Sequence, residues 1–412
     1  MATIAASPRE RSYEIGLIVV LTLANGVIGF DRQTVAFLAP YIVGDLGLNN
    51  TQVGWLAAAL SLAIAGSSFF ASEFADRTGK RKIMLIACTL LFSLMSGVGG
   101  LALTFGVLLA TRFALGLAEG PIVPMSQTLI VRASEPRRRG INMGITQMVG
   151  AFGIAGFLGP IAATQIADSY GWRTAMFLSI VPGLIVAGMM VFLLRPDEKP
   201  LETPHTLRAS PFASFSECLK IPNIRISLAI AGLFTAWLVI QAVFGTLFLT
   251  QVKGLAPTTA GWVVGMFGWG GLIGGLALPL LSDRIGRKPV MVAGAIAGIA
   301  GPIAYIVLPS DPVLLGIATL IGALPLGIGP LYCATVPTES VSPALTTTAV
   351  GLSMGTAELF GGVVAPMVAG PAADAYGLDA VYWIAAGVAL AAAVPAMFLK
   401  ETAPCKVGGM EA

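Results

Sequence analysis

Twelve runs of about 20 predominantly apolar residues, the length that carries a helix across a bilayer core, recur along the chain. They are centred near Gly26, Ala63, Ser93, Glu119, Phe152, Pro182, Leu238, Gly270, Gly298, Ala323, Leu359 and Gly387. Six precede and six follow a polar, Pro-rich stretch, RPDEKPLETPHTLRASPFASFSECLKIPN from Arg195 to Asn223, which holds the only histidine, His205. The pattern predicts an all-α integral membrane protein with twelve transmembrane helices in two bundles. The first bundle is expected over 1–194, a linker over 195–224, the second bundle over 225–399 and a tail over 400–412.

Basic residues sort the loops. Arg9 and Arg11, DRTGKRK, VRASEPRRRG, the linker, DRIGRK, and Lys400 with Lys406 fall in alternate connections, whereas the others carry only Arg173 and Lys253. Lys and Arg are retained on the cytoplasmic side during insertion, so both termini are expected there. The leading segment MATIAASPRERSYEIG lacks the short apolar region and cleavage site of a signal peptide, so the first helix is expected to be retained.

The halves resemble each other. LGLNNTQVGW, Leu46 to Trp55, returns as KGLAPTTAGW, Lys253 to Trp262; FADRTGKRKIM returns as LSDRIGRKPVM, and PIAATQIADSYG as PMVAGPAADAYG. Parallel six-helix repeats imply a pseudo-two-fold axis along the membrane normal, with a cavity between the bundles. The loop DRTGKRK, repeated as DRIGRK, resembles the signature of the major facilitator superfamily between helices two and three and between eight and nine. RFALGLAEG in helix four is similar to that superfamily's R-x-x-x-G-x-x-x-G pattern. The match covers essentially the whole chain and departs at the first signature position, where the usual Gly is Ser72 in one copy and Pro279 in the other. The pair Asp31 and Arg32, with Arg112 and Glu119 in helix four, is similar more narrowly to the anion:cation symporters of organic anions, many of them proton-driven. The resemblance implies inner gating contacts at Asp76, Arg77 and Arg81, at Asp283, Arg284 and Arg287, and at Glu135 and Arg139.

Composition agrees: 56% of the 412 residues are hydrophobic and 11% charged, with a mean hydropathy of +0.85, outside the soluble range. The 50 glycines and 26 prolines fit spanning helices, where Gly permits close packing and Pro is tolerated. A net charge of +3 confined to short loops argues against nucleic acid. Cys88 and Cys333 fall inside spans, Cys218 in the linker and Cys405 in the tail, so no disulfide framework or zinc-type spacing is indicated. Neither a cofactor nor enzymatic chemistry is indicated, since no His, Cys or Ser constellation accompanies the carboxylates.

An ionisable side chain at the bilayer centre costs about 3 kcal/mol on insertion scales and normally faces a wet cavity or a partner. The interior charges are Asp31 and Arg32 on helix one, Arg112 and Glu119 on helix four, and Glu358 on helix eleven. At about 1.5 Å per residue, Asp31 lies about 24 Å from the inner end, Glu119 about 20 Å, Arg112 about 30 Å and Glu358 about 21 Å. Arg112 and Glu119 thereby bracket Arg32. Arg32 suits a substrate carboxylate, with Arg112 a second anion contact or the counter-charge of Glu119. Asp31 and Glu119 suit proton carriage, because an Arg that leaves a carboxylate for the substrate lets that carboxylate take a proton. The competing reading is a structural salt-bridge network between helices one and four. Glu358 aligns with Gln147 in the first half and is either a third proton site or a protonated acid at a helix contact.

The repeat puts Leu238 and Val239 at the positions of Asp31 and Arg32, confining charge to the first half. The second half offers Gln241, Trp237, Phe244, Trp269 and Tyr332 to a ligand, a wall that suits a compact or aromatic carboxylate, although ordinary helix packing is the commoner role of such aromatics. GMFGWGGLIGG in helix eight follows no strand and reads as small-residue packing rather than phosphate binding. The expectation is a monomeric, proton-coupled symporter of a small organic anion in a bacterial inner membrane. Its rivals are a sugar-acid symporter, an anion exchanger, an exporter of amphipathic compounds, and a membrane sensor.

Overall fold

The computed structural model describes residues 8–78, 80–135, 138–195, 211–343 and 345–407, and their side chains outside 8–9, 69–78 and 211–213. Twelve long helical segments result: α1 Pro8–Leu46, α2 Asn50–Thr78, α3 Arg81–Leu101, α4 Phe105–Ala133, α5 Arg139–Tyr170, α6 Trp172–Leu193, α7 Pro222–Gln251, α8 Pro257–Ile285, α9 Arg287–Val307, α10 Pro312–Glu339, α11 Thr346–Tyr376 and α12 Leu378–Met397. Eleven are long and apolar enough among the described residues to cross a membrane. The other, α2, has 29 residues and packs between α4 and α11. The helix α7 begins at Pro222, just inside the expected linker.

Local chemistry sets the helix ends twice over, once per repeat. Thr104 caps α4 by accepting from Val107 N, and Asp311 caps α10 by accepting from Leu314 N, each side chain satisfying one donor that the first turn leaves unpaired. The turn after α1 needs a positive φ at Gly47, and the turn after α7 needs one at Gly254. Both conformations favour glycine, which has no Cβ. Helices α5 and α11 each widen into π-type turns, over Met148–Leu158 and Ala357–Val364, a feature that often marks functional sites.

Within the first bundle α2 packs on α4, α3 on α4 and α6, and α1 on α5 and α6. In the second, α7 packs on α11 and α12, α8 on α10, and α9 on α10 and α12. The bundles meet along three seams, α1 with α7, α2 with α11 and α5 with α8. At the end away from the chain termini one apolar core runs through both bundles, joining Val35–Ala39 and Ile42 of α1 to Val243, Phe244 and Leu247–Leu249 of α7. This core continues down the second bundle to Val290, Ala396 and Leu399, whereas at the termini end the first bundle has a separate core of Leu17, Leu21, Phe92 and Met190 and the second a further cluster of Cys218, Ile224, Leu345 and Ala349, neither reaching the other bundle. The protein is sealed at the far end and parted at the termini end.

A polar latch finishes the seal. Asp374 near the end of α11 accepts from Asn50 N and Thr51 N, both at 2.9 Å, and from the Thr51 hydroxyl. It therefore caps α2 from the opposite bundle, where the helix dipole also favours a carboxylate. Asp374→Ala should cost the sealed form about 1 kcal/mol, or about fivefold in the ratio of sealed to open molecules. Spin labels at Gly44, which has open space around it, and at Tyr376, 82% exposed, should then show a larger long-distance population. An unchanged distance distribution would dismiss the latch.

Candidate functional site: an arginine shared by two bundles

Successive residues of a helix point about 100° apart, and that rotation separates Asp31 from Arg32. Asp31 turns into the first bundle and is fully buried. Its Oδ1 accepts from the Ser96 hydroxyl of α3 at 2.7 Å, and Ser96 in turn meets Ser179 of α6 at 2.9 Å. Arg112, 1% exposed, donates from Nη1 to the main-chain oxygen of Asp31 at 3.0 Å. Arg32 turns the other way, its side chain 32% exposed, towards the second bundle. Its Nη2 donates to both oxygens of Glu358 on α11, at 2.8 and 2.7 Å, and its Nη1 lies 3.9 Å from Glu119 Oε1 on α4.

The five expected charges thus form two groups. Arg112 does not bracket Arg32 in the cleft; it sits behind α1 with Asp31, because two turns of α4 carry it past the level at which Glu119 faces Arg32. Asp31 Oδ2, Arg112 Nε and Nη2, and Glu119 Oε2 have no hydrogen-bond partner in the protein.

Close helix approaches hold these groups in place. A Cβ on Gly116 would lie 2.5 Å from the Leu60 carbonyl of α2, and the hydroxyls of Ser67 and Ser68 donate back to the carbonyls of Gly116 and Gly120 at 3.1 and 2.8 Å. The R-x-x-x-G-x-x-x-G pattern is therefore a packing seam that carries Glu119 on its edge. On α11, Gly361 fits against Thr235 of α7 and Gly362 against Ser61 of α2. These contacts also correct the expected equivalence of Glu358. Gly29 packs on Ala155 as Thr235 packs on Gly361, so Glu358 corresponds in level to Phe152 and not to Gln147.

The aromatic wall expected from the second half does not line the cleft. Trp237 and Phe244 are fully buried; Trp237 donates to the Gly298 carbonyl at 2.7 Å and stacks on Phe234. Gln241 donates to the Trp237 carbonyl at 3.2 Å and turns towards Gly301 of α9. Tyr332 is 4% exposed, with its hydroxyl 3.3 Å from that of Thr235. Trp269, 41% exposed, shares a face of α8 with Trp262, and both flank Phe157 of α5. Polarity lies instead in the first bundle, where Asn25, Ser126, Gln127, Thr146 and Gln147 border a small hollow between α1, α4 and α5. Asn25 donates to Gln147 Oε1 at 3.0 Å and to the Thr146 carbonyl at 2.9 Å. The sequence held a signal for this patch, since Asn25 precedes Arg32 by two helical turns on the same face.

The inner gating residues are also resolved in part. Asp76 and Arg77 lie outside the described side chains, and Arg81 is buried at the start of α3. Arg287 binds Asp283 and, at 2.9 Å, Glu339, while Arg284 is exposed and its carbonyl accepts from Cys405. These partners belong to the second bundle or its tail, which fits a parted termini end. Glu401 accepts from the main-chain N–H of Arg287 and Lys288, at 2.7 and 3.2 Å; partial burial raises its pKa, but four main-chain donors outweigh this and hold it below the usual range. Glu135 is exposed and Arg139 donates to the Ser134 carbonyl at 3.3 Å. The buried acid of this corner is one that sequence reasoning missed: Glu14, which accepts from Asn142 at 2.6 Å and lies 3.6 Å from Arg138.

Because Gly116 fixes the spacing of α2 and α4, Gly116→Val should overpack the seam by about 1–3 kcal/mol. The expected readout is a lower melting temperature in detergent, with Gly116→Ala affected less. Equal stability of the Val variant would contradict the close approach.

The family profile described as Major Facilitator Superfamily matches residues 21–352 and again 246–409. A hexuronate transporter of Bacillus subtilis (strain 168) is 28% identical over 324 residues, covering 75% of this chain and 73% of the relative. A probable 4-methylmuconolactone transporter of Cupriavidus pinatubonensis is 27% identical over 295 residues, covering 70% and 67%. The solved structure of a bacterial homologue of the human lysosomal transporter Spinster, inward-facing and unoccupied, superposes with a TM-score of 0.73 at 21% identity, covering 96% of this chain and 95% of that one. With twelve helices in two pseudo-symmetric bundles and a profile match over most of its length, the chain belongs to the Major Facilitator Superfamily and is a multi-pass membrane transporter, not an enzyme.

Proposed function

We propose that the protein is a monomeric, proton-coupled symporter that imports a small organic anion, a monocarboxylate, by alternating access. It would sit in a bacterial inner membrane with both termini in the cytoplasm, the side to which the basic loops assign them. One observation carries this reading. Arg32 stands part-exposed midway along the cleft, and the groups that meet it are carboxylates, one from each bundle. A guanidinium so placed is a carboxylate site with directed donors, and an incoming anion can replace an internal one.

Proton coupling follows from that replacement. A carboxylate that gives up its Arg to the anion loses its counter-charge, and a proton can take that place. Glu119 and Glu358 stand in that position. Asp31, held by Ser96 and the main-chain contact of Arg112, acts from behind α1, with Arg112 setting the charge balance of the first bundle rather than touching substrate. The named relatives that carry hexuronate and 4-methylmuconolactone favour an oxygenated organic acid over the compact apolar one suggested by the aromatic residues.

The test uses purified protein in liposomes holding a pH dye, to which glucuronate, 4-hydroxybenzoate or benzoate is added. Acid-dependent acidification is expected, largest for the hydroxylated acids. Arg32→Ala should weaken binding about 10- to 100-fold, the equivalent of losing charge-assisted hydrogen bonds of about 1.5–3 kcal/mol. Arg32→Lys, which keeps the charge without the fork, should fall between. Retained uptake in Arg32→Ala would exclude the carboxylate clamp.

A further inference from the structure

At the termini end a groove runs between α1 and α5, with an acid and a base at its mouth and aliphatic side chains along its floor. Glu14, Arg138 and Asn142 form the mouth, and Ile15, Ile18, Val19 and Ile145 line the rest of a space of about 210 Å³. One water needs about 10–15 Å³, so the groove takes a chain rather than a solvent molecule. We infer that it holds an anionic phospholipid of the leaflet at the termini end, with the phosphate on Arg138 and Arg11 and an acyl chain along the isoleucines. The site lies outside the ionic centre and does not depend on the transport reading above.

The groove opens to lipid and not to the cleft. On α1, Ile15 and Val19 are exposed and lie one turn apart, between the side that meets α5 at Gly29 and the side that meets α6 at Gly16. On α5, the exposed stripe of Ile141, Ile145 and Val149 stands on a different side from Met143 and Gln147, which border the hollow below Arg32. Depth agrees with direction. At about 1.5 Å per residue, Glu14 lies about 20 Å from Val27, the midpoint of α1, which is headgroup level in a bilayer about 40–45 Å thick with its polar regions. Ile15, Ile18 and Val19 then descend from that level into the hydrocarbon.

Charge selects the headgroup. Glu14 is buried and its oxygens are spent inward: one accepts at 2.6 Å from Asn142, which also donates to Ser134 at 2.8 Å, and the other lies 3.6 Å from Arg138 Nη1. That last contact steers Arg138 but is too long for a hydrogen bond. The Arg138 side chain is 41% exposed and makes no hydrogen bond among the described residues, so its N–H donors are presented outward. Arg11, also exposed, stands one turn before Ile15 on the same face of α1. Each aliphatic stripe therefore ends in an arginine at headgroup level, and Arg138 directly precedes the first turn of α5, where the helix dipole favours a phosphate. The cation of a zwitterionic headgroup would find no such partner, because Glu14 is already taken.

The test is native mass spectrometry of the delipidated full-length protein, titrated with phosphatidylglycerol, phosphatidylcholine or glycerol phosphate. Wild type should bind phosphatidylglycerol at least about fivefold more tightly than phosphatidylcholine, and glycerol phosphate, which has no acyl chains, should not bind, which separates a lipid from a free phosphate. Arg138→Gln should weaken phosphatidylglycerol about tenfold, the loss of a charge-assisted hydrogen bond. Arg11→Gln, which leaves the contact between Glu14 and Arg138 untouched, should weaken it about fivefold. Ile145→Trp, which fills the groove, should displace both lipids. Equal affinity for the two lipids, glycerol phosphate binding as tightly as phosphatidylglycerol, or unchanged retention in the variants would overturn the proposal. So would a dimer that forms as lipid is removed and is broken by Ile145→Trp, since the groove would then be an interface between copies. If Arg138→Gln does not fold, the wild-type preference and the other two variants decide.

Discussion

An arginine midway through a lipid layer needs a counter-charge, and the architecture of this protein is arranged around where that counter-charge comes from. Arg32 takes it from Glu358 across the cleft and, at longer range, from Glu119 beside it. For this to happen α11 must reach α2 and α7 closely enough to bring Glu358 to the centre, which the glycines at 361 and 362 permit. Helix α4 must likewise lie flat on α2 to present Glu119, which Gly116 and Gly120 permit. The small residues that look like packing detail are what put three charges within reach of one another in a medium where an isolated one is expensive.

The two halves share a scaffold and divide the chemistry. Equivalent glycines with positive φ turn the chain at Gly47 and Gly254 and at Gly171 and Gly377, and equivalent caps start α4 and α10. Inside the bundles the likeness ends. Where the first holds Asp31, Arg112, Ser96 and Ser179, the second holds a stack of Phe248, Tyr305 and Tyr382, with the Tyr305 hydroxyl 2.9 Å from that of Thr319. One bundle is thus a rigid aromatic body, and the other carries charge on its inner face and behind it. Glu358 is the single acid that the second bundle contributes to the site.

The division of the apolar cores gives this arrangement a direction. An apolar core shared by both bundles at the far end, and clusters confined to one bundle or the other at the termini end, describe a molecule closed on one side, and Asp374 adds a polar clasp to the closed side. Packed interfaces of this kind tend to be bistable rather than continuously deformable. The ionic centre lies between the sealed half and the parted half, where a change of partner on Arg32 bears on both.

The helices, their number, the linker and the internal repeat were legible in the sequence, because span length and loop charge are imposed by the bilayer and do not depend on tertiary contacts. The five intramembrane charges were legible for the same reason: their cost marks them wherever they point. Which way they point was not. One residue of rotation about α1 sends Asp31 into a bundle and Arg32 into the cleft, and two turns of α4 set Arg112 about 10 Å along the helix from Glu119. Sequence distance also hid the pairing of Arg32 with Glu358, 326 positions apart, and offered Trp237, Phe244 and Trp269 as ligands when helix packing had already used them. Sequence by itself determined which residues are costly in lipid; only the tertiary structure decided which of them share a partner, because that depends on how closely glycine-lined helices approach.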